Sequence, residues 1–474
     1  MRIIEHIYVD GRFVAPHGRE LFDLYNPATG AVIGRVRLGD GEDVRAAVAA
    51  AKRALPRMAR TTKAERLQML EALHAAMHAR VDELREAVFE EYGAPVSRSA
   101  WMADYAAHSF LTAARTLADY PLERDIGSAR VVMVPVGVVG LITPWNSNAG
   151  FICNKLAYAI AAGCTAVIKP SEMSAIQTDV VLRALHEAGL PAGIYNVVNG
   201  RGADVGAGIV AHPDVAKISF TGSTAVGKAI LRAGADSLKR VTLELGGKSP
   251  TIILDDADLE TVIPGVIEAG FMNSGQACIA GTRLLVSEAR RAEFEARLKA
   301  AIEAQVRVGD PRDPATTVGP MVSQTQWERV QRYIRLGFEE GARLLTGGEG
   351  RPDGLSGYFV RPTVFTDVRN DMRIAREEIF GPVLAIITYR DEDDAVAIAN
   401  DTTYGLSAYV FGAQSRAERI AARLDSGRVV INGAAHEPLA PFGGMKQSGL
   451  GRENGSFGLE AYLEPKTVLG ASRA

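Results

Sequence analysis

The chain has 474 residues, more than one ordinary hydrophobic core organises, so two or three domains are expected. Apolar residues make up 47% and charged residues 23%, the balance of a soluble globular protein, with 53 basic against 56 acidic side chains. A net charge of −3 excludes an electrostatic footprint for nucleic acid or an anionic membrane.

The opening run MRIIEHIYVDGRF is charged throughout and lacks the apolar stretch of a secretion signal. Residues 7–35 alternate short β-like runs with turn signals such as VDGR and NPATG. A helix is expected over 42–56, where Val44, Val48, Ala51 and Leu55 share one face. A longer periodic stretch, Ala64 to Tyr92, carries Leu67, Leu70, Leu73, Met77, Val81, Leu84 and Val88 on one stripe and stops at Gly93 and Pro95. A further helix is expected over 97–118. His74 and His78, four apart in HAAMH, lack the glutamate of a zinc-protease motif and a third ligand, and read as helix-surface residues. No metal is expected.

The most apolar run, 131–142, is too short for a membrane span and contains proline and glycine. From there β-branched runs (VVGLIT, TAVIK, IYNVV, AKISF, RVTLEL) alternate with helical stretches near 150–163, 174–188, 202–211 and 224–233. The alternation continues with PTIIL, a helix over 258–272, TRLLVS and a helix over 289–304, and resumes past 380. This is the pattern of parallel α/β sheets.

Chemistry-bearing residues cluster where those strands end. Asn146, in ITPWNSN, is an amide that holds an oxyanion or caps a turn. Lys169, Ser171 and Glu172 close AVIKPSE, as a plain strand end or as a charge pair grasping a ribose. The run FTGSTAVGKA (220–229) nearly spells a nucleotide-phosphate loop, but Ala229 stands where a magnesium-binding hydroxyl belongs. On spacing alone, a tight strand–helix turn and a phosphate seat fit it equally. GGKS (246–249) has the right ending, with Thr242 in place of the first glycine. Glu244 is a single acid at the end of an apolar strand, followed by paired glycines.

Three cysteines, Cys153, Cys164 and Cys278, are too few and too scattered for a disulfide framework and fit a reducing, cytoplasmic setting. Cys153 and Cys164 read as small buried apolar residues. Cys278 differs: NSGQACIAG leaves room for a ligand to reach its sulfur, although a thiolate there needs a base or a positive field. No nucleophile elbow, paired C-x-x-C or G-x-G-x-x-G fingerprint follows any strand.

In order, PWN (144–146), IKPSE (168–172), FTGSTAVG (220–227), LELGGKSP (243–250), GQACIAG (275–281), EEIFGPV (377–383), NDTTYGLSA (400–408), PFGGMKQSG (441–449) and GRE (451–453) span almost the whole chain. Together they resemble the aldehyde dehydrogenase superfamily of NAD(P)-dependent enzymes. The resemblance implies an α/β fold of two Rossmann-like domains plus a small β oligomerisation arm. The NAD(P)-binding domain would take 1–120 and 137–246, the catalytic domain 247–443, and the arm 121–136 and 444–474. It implies Cys278 as nucleophile, Glu244 as general base and Asn146 in the oxyanion hole with the Cys278 N–H. Lys169, Ser171 and Glu172 would meet the adenosine ribose, and Glu378 the nicotinamide ribose with Phe380 beside it. Trp145, Gly222, Ser223 and Leu245 would line the rest of the cofactor cleft, with Gly202 near the adenine. Lys155 and Glu453 match positions that help relay protons or brace the site in some members.

The expected reaction is oxidation of an aldehyde to the acid through a Cys278 thiohemiacetal and a thioester hydrolysed by Glu244-activated water. A retained Glu244 argues against the coenzyme A-acylating branch, and the pair Cys278 and Glu244 against a catalytically idle member. Glu172 favours NAD, with NADP tolerated in some relatives, and the arm implies a homodimer or homotetramer. The sequence departs from the common pattern at SNAGF (147–151), which follows PWN, and at GAAHEPLA (433–440). Ser147, Asn148, His436 and Glu437 are therefore expected to make the substrate tunnel partly polar.

Overall fold

The strand–helix alternation builds two large sheets, seen in a computed structural model that describes residues 2–470. Five parallel strands form the centre of the first, in the order Arg240–Glu244, Val215–Thr221, Val138–Ile142, Thr165–Lys169, Tyr195–Val197. Val138–Ile142 and Thr165–Lys169 are buried along their whole length, which is why their sequences are apolar without alternation. The N-terminal hairpin Ile7–Val9/Arg12–Val14 adds antiparallel strands at one edge. Its two-residue turn has Asp10 and Gly11 at φ 53° and 77°, the backbone that matches strand twist. Gly449–Leu450 closes the other edge, antiparallel to Arg240–Glu244.

The second sheet runs Arg343–Thr346, Thr363–Thr366, Val383–Tyr389, Arg283–Ser287, Pro250–Ile253, Ser407–Phe411, Arg428–Ile431, parallel except for the first strand. A three-stranded antiparallel sheet combines Glu123–Ile126, Ala129–Pro135 and Leu463–Leu469. Residues 444–462 lie outside this small sheet: after the Gly449–Leu450 edge strand, helix Gly455–Glu460 packs against helices Val96–Asp119 and Asn148–Ala162. A fourth small sheet joins Arg2–Ile4, Val32–Arg37 and Leu21–Tyr25. Among the described residues no helix is long and apolar enough to cross a membrane.

Two helical expectations change in detail. The stripe from 64 to 92 divides into helices Lys63–His78 and Val81–Glu91. The apolar stripe continues across the break, so periodicity conceals it. At the turn Arg80 donates from its guanidinium to Glu83 (2.7 Å) and, on another helix, to Glu187 (3.1 Å). The stretch 202–211 begins as a widened turn at Gly202–Gly206 and becomes α-helical only at Ala207–Ala211.

Helix Asn148–Ala162 lies under the first sheet with 14 of its 15 residues buried. It has no solvent face, so the Lys155 ammonium must find its partners inside the protein.

Candidate active site

In the first sheet the chain moves outward from Val138–Ile142 in one direction and then returns to add Val215–Thr221 on its other side. Ligands of open α/β sheets meet the strand ends at such a switch point. Asn146, Lys169, Gly222 and Glu244 all lie at or just past the carboxyl ends of these strands.

Cys278 comes from the other sheet's side, in the loop after helix Leu259–Phe271. Asn273, Ser274 and Gly275 there are consecutive left-handed residues (φ 54°, 58° and 74°), a strained run that only surrounding contacts can hold. Asn273 Nδ2 donates to the carbonyls of Asn146 (3.1 Å) and Gln276 (3.2 Å), and Ser274 Oγ accepts from Gly319 N (2.8 Å). Gln276 Nε2 donates to Pro320 O (3.2 Å) and its Oε1 accepts from Val322 N (2.9 Å). Asn146 Nδ2 donates to Gln276 O (2.9 Å), so one amide hydrogen fixes the side chain and the second remains for a ligand. The loop thereby joins the two sheets and holds Cys278 on the wall of a cavity of about 410 Å³ that Asn146 and Glu244 also line.

Burial, reinforced by Glu378 and Glu244, pushes the Cys278 thiol up to about 12, against the pull of its own N–H and that of Ile279. The resting sulfur is therefore protonated at neutral pH. Iodoacetamide should modify it slowly, with a rate rising about tenfold per pH unit from neutrality upward. Peptide mass spectrometry reads this at Cys278, since Cys153 and Cys164 are buried. A rate already level at neutral pH would show an ionised resting thiol.

Glu244 is 3% exposed and neither carboxylate oxygen has a hydrogen-bond partner among the described residues. Burial, and then the charge of Glu453, hold its pKa well above the usual carboxylate range. The room for it comes from glycine: a Cβ at Gly443 would stand 2.5 Å from Glu244 Oε1. Residues from the C-terminal segment clasp the strand just beyond. Leu245 N donates to Ser448 O (2.9 Å), and Ser448 Oγ donates to Gly246 O (2.6 Å). Lys155 forms a buried ion pair with Glu453 and donates to Ser219 Oγ (3.0 Å), whose hydroxyl reaches Glu453 Oε1 (3.3 Å). Glu453 also lines the cavity.

A second group of expected residues makes its contacts around the ends of the same strands. Glu378 accepts from Gly247 N (3.0 Å), a Cβ at Gly246 would meet its Oε2 at 2.5 Å, and burial raises it to about 7. Phe380, at φ 62°, packs edge-on against Trp145 (5.4 Å, 89°). Lys169 Nζ donates to Glu172 Oε2 (2.7 Å), while Ser171 Oγ accepts from Met173 N (3.3 Å). Gly222 N donates to Glu244 O (3.0 Å) and Ser223 caps the helix Thr224–Gly234. That helix touches Leu245 at Gly227, where a Cβ would fall 2.5 Å from the leucine side chain. Lys228 turns away to Gln447 Oε1 (2.8 Å), so the loop lacks both features of a magnesium-dependent phosphate loop. Gly202 opens on free space, with nothing within 4 Å of a Cβ placed there.

The expected polar tunnel is half realised. Ser147 and His436 line the cavity, whereas Asn148 is fully buried behind it, donating to Thr178 Oγ1 (2.9 Å) and accepting from Thr143 and Ser171 N. Glu437 accepts from Leu439 N instead of facing the cavity. Sequence reasoning missed Gln276 as the residue that aims Asn146, and Arg98, Trp101 and Arg428 as cavity residues. Arg98 and Trp101 are three apart, the spacing of helix neighbours, which is the signal that was available.

Residues 13–468 match the family model described as the aldehyde dehydrogenase family. The chain belongs to the aldehyde dehydrogenase family. Among relatives within it, a 3-succinoylsemialdehyde-pyridine dehydrogenase of a Pseudomonas species is 48% identical, over 99% of both chains. A mutant of aldehyde dehydrogenase C from Pseudomonas syringae, solved with NAD+ and octanal, superposes with a TM-score of 0.97 at 44% identity, covering 99% of this chain and 97% of that one. A betaine aldehyde dehydrogenase from Staphylococcus aureus, a point mutant in complex with NAD+ and with a BME-modified cysteine, has a TM-score of 0.95 at 35% identity, covering 98% and 96%.

Proposed function

We propose that this chain oxidises an aldehyde to the carboxylic acid with NAD, using Cys278 as nucleophile, Asn146 as oxyanion donor and Glu244 as general base. The observation that carries the reading is the meeting, on one cavity, of a thiol, an aimed amide and a buried carboxylate with no partner.

The cleft residues fit the cofactor: a ribose-sized acid and ammonium at Lys169 and Glu172, a capped helix start at Ser223, and Glu378 held against paired glycines. NAD, when bound, would supply the hydride acceptor that oxidation of a Cys278 thiohemiacetal to a thioester requires. The chain's own residues do the rest. Cys278 must lose its proton before its sulfur adds to the carbonyl carbon, and Glu244 is the cavity's unpartnered acceptor for that proton. The free Asn146 amide hydrogen and the Cys278 N–H meet the developing oxyanion. Once it has passed that first proton to solvent, Glu244 takes a proton from the water that releases the acid. A coenzyme A-acylating role has less support, because it needs no base at residue 244.

NADH production across aliphatic, aromatic, amino and semialdehyde substrates, with NAD and NADP in parallel, tests this reading. Turnover is expected without coenzyme A and faster with NAD, and strict dependence on coenzyme A would overturn it. Glu172→Gln should narrow the preference for NAD over NADP by about tenfold, since one charge near a ribose phosphate is worth roughly that. The exposed small sheet of 123–135 and 463–469 supports assembly into a homodimer or homotetramer, and the free cysteines support a reducing, cytoplasmic compartment.

A further inference from the structure

Arg98 lies on helix Val96–Asp119 and on the wall of the cavity that holds Cys278. Its guanidinium sits over the Trp101 ring, 4.0 Å from the centroid, and Trp101 stacks on Tyr105 (5.0 Å, 5°). The aromatic pair fixes the side chain and covers one face of the cation. Its Nε is buried without a hydrogen-bond partner. The ionisable groups that act on it are Tyr92 and Cys278, both neutral at rest. Burial alone does not explain such an arginine in this fold. Arg283, fully buried, donates to Lys248 O, Ile398 O, Ala399 O and Asn370 Oδ1, so a structural guanidinium here is given its acceptors. Arg98 is given none among the described residues, and it lies on the wall of the Cys278 cavity.

We propose that Arg98 selects the substrate by receiving an anionic oxygen at the far end of the aldehyde, so that the enzyme favours aldehydes carrying a carboxylate. This rests on the reading of Cys278 as nucleophile. A planar guanidinium receives a carboxylate through two parallel hydrogen bonds, and a half-desolvated one gains more from them than an exposed one. An uncharged chain of equal shape leaves those donors unmet, which a polar site penalises more than an apolar site penalises a missing methylene. Arg428, on the same cavity, is also without an ion pair among the described residues, as is the exposed Glu268.

The test compares kcat/KM for succinic semialdehyde and for isohexanal, which has the same shape without the charge. It uses the full chain, Arg98→Met, Arg98→Lys and Arg428→Met, with NAD titration by tryptophan fluorescence to verify folding. The unaltered enzyme should favour the semialdehyde. In Arg98→Met the ratio of the two kcat/KM values should fall on the order of 100-fold, mainly through KM, with partial recovery in Arg98→Lys. A ratio unmoved in Arg98→Met, or moved only in Arg428→Met, overturns the proposal while leaving the nucleophile reading intact. Failure of the unaltered enzyme to oxidise succinic semialdehyde, while other aldehydes are turned over, likewise overturns the proposal and leaves the nucleophile reading intact.

Discussion

Replacing Cys278 with alanine should lower NADH production by roughly 10,000-fold or more with every aldehyde the enzyme accepts. The size of the loss follows from the cavity. Asn146 and Glu244 can polarise and deprotonate, but neither can form the covalent bond that prepares the aldehyde carbon to lose hydride. The cavity's buried carboxylates, the unpartnered Glu244 and the ion-paired Glu453, cannot take over the sulfur's role. The substitution removes one partly buried sulfur from a loop held by Asn273, Ser274 and Gln276, so the fold and NAD binding should persist, which fluorescence titration checks. Retention of full turnover with any responsive aldehyde would show that another group attacks the substrate.

Glu244→Gln separates the two halves of the reaction. The amide keeps the shape of the side chain but cannot take a proton from water. Steady-state turnover should fall about 100- to 1,000-fold, while a first turnover of NADH survives and a thioester on Cys278 accumulates, visible as an added acyl mass on the intact protein. The pH profile supplies an independent readout. Burial favours the protonated form of Glu244 and raises its pKa, yet only the ionised form is a base. Activity of the unaltered enzyme should therefore climb as pH rises through that elevated pKa and be lost below it. The glutamine variant should lack that limb. Rapid turnover without acyl accumulation would remove Glu244 from the base role.

Much of this arrangement was legible in the sequence because the relevant residues break the local pattern. A lone acid ending an apolar strand, an amide after Trp145 and a cysteine set among small polar residues each depart from what strand and loop propensity alone would place there. The two sheets were equally legible, since buried parallel strands read as continuous β-branched runs. What was hidden depends on tertiary partners. The break at Ala79–Arg80 leaves no mark because the apolar stripe passes through it, and the ion pair Arg80 makes there is with Glu187 on a distant helix. Asn148 reads as a tunnel residue only until the helix rotation is known, and its contacts with Thr178 and Ser171 place it behind the wall. Arg98 on a mixed helix looks like ordinary surface until the cavity beside it is seen. The run FTGSTAVGKA fits a turn and a phosphate seat equally until Gln447, more than two hundred residues away, is seen to hold Lys228.

The clasp around Glu244 has a consequence for how the enzyme is made. The nucleophile loop, the oxyanion amide and the base all lie in the first 278 residues, yet the base is secured by Gly443, Gly449 and Ser448 and its neighbour Glu453. A nascent chain emerging from the ribosome therefore carries every reactive group long before the edge strand that sets one of them in place. Competence therefore waits on the segment from Gly443 to Glu453, and a chain cut short ahead of Ser448 would have a thiol without a properly seated base and a buried Lys155 without Glu453.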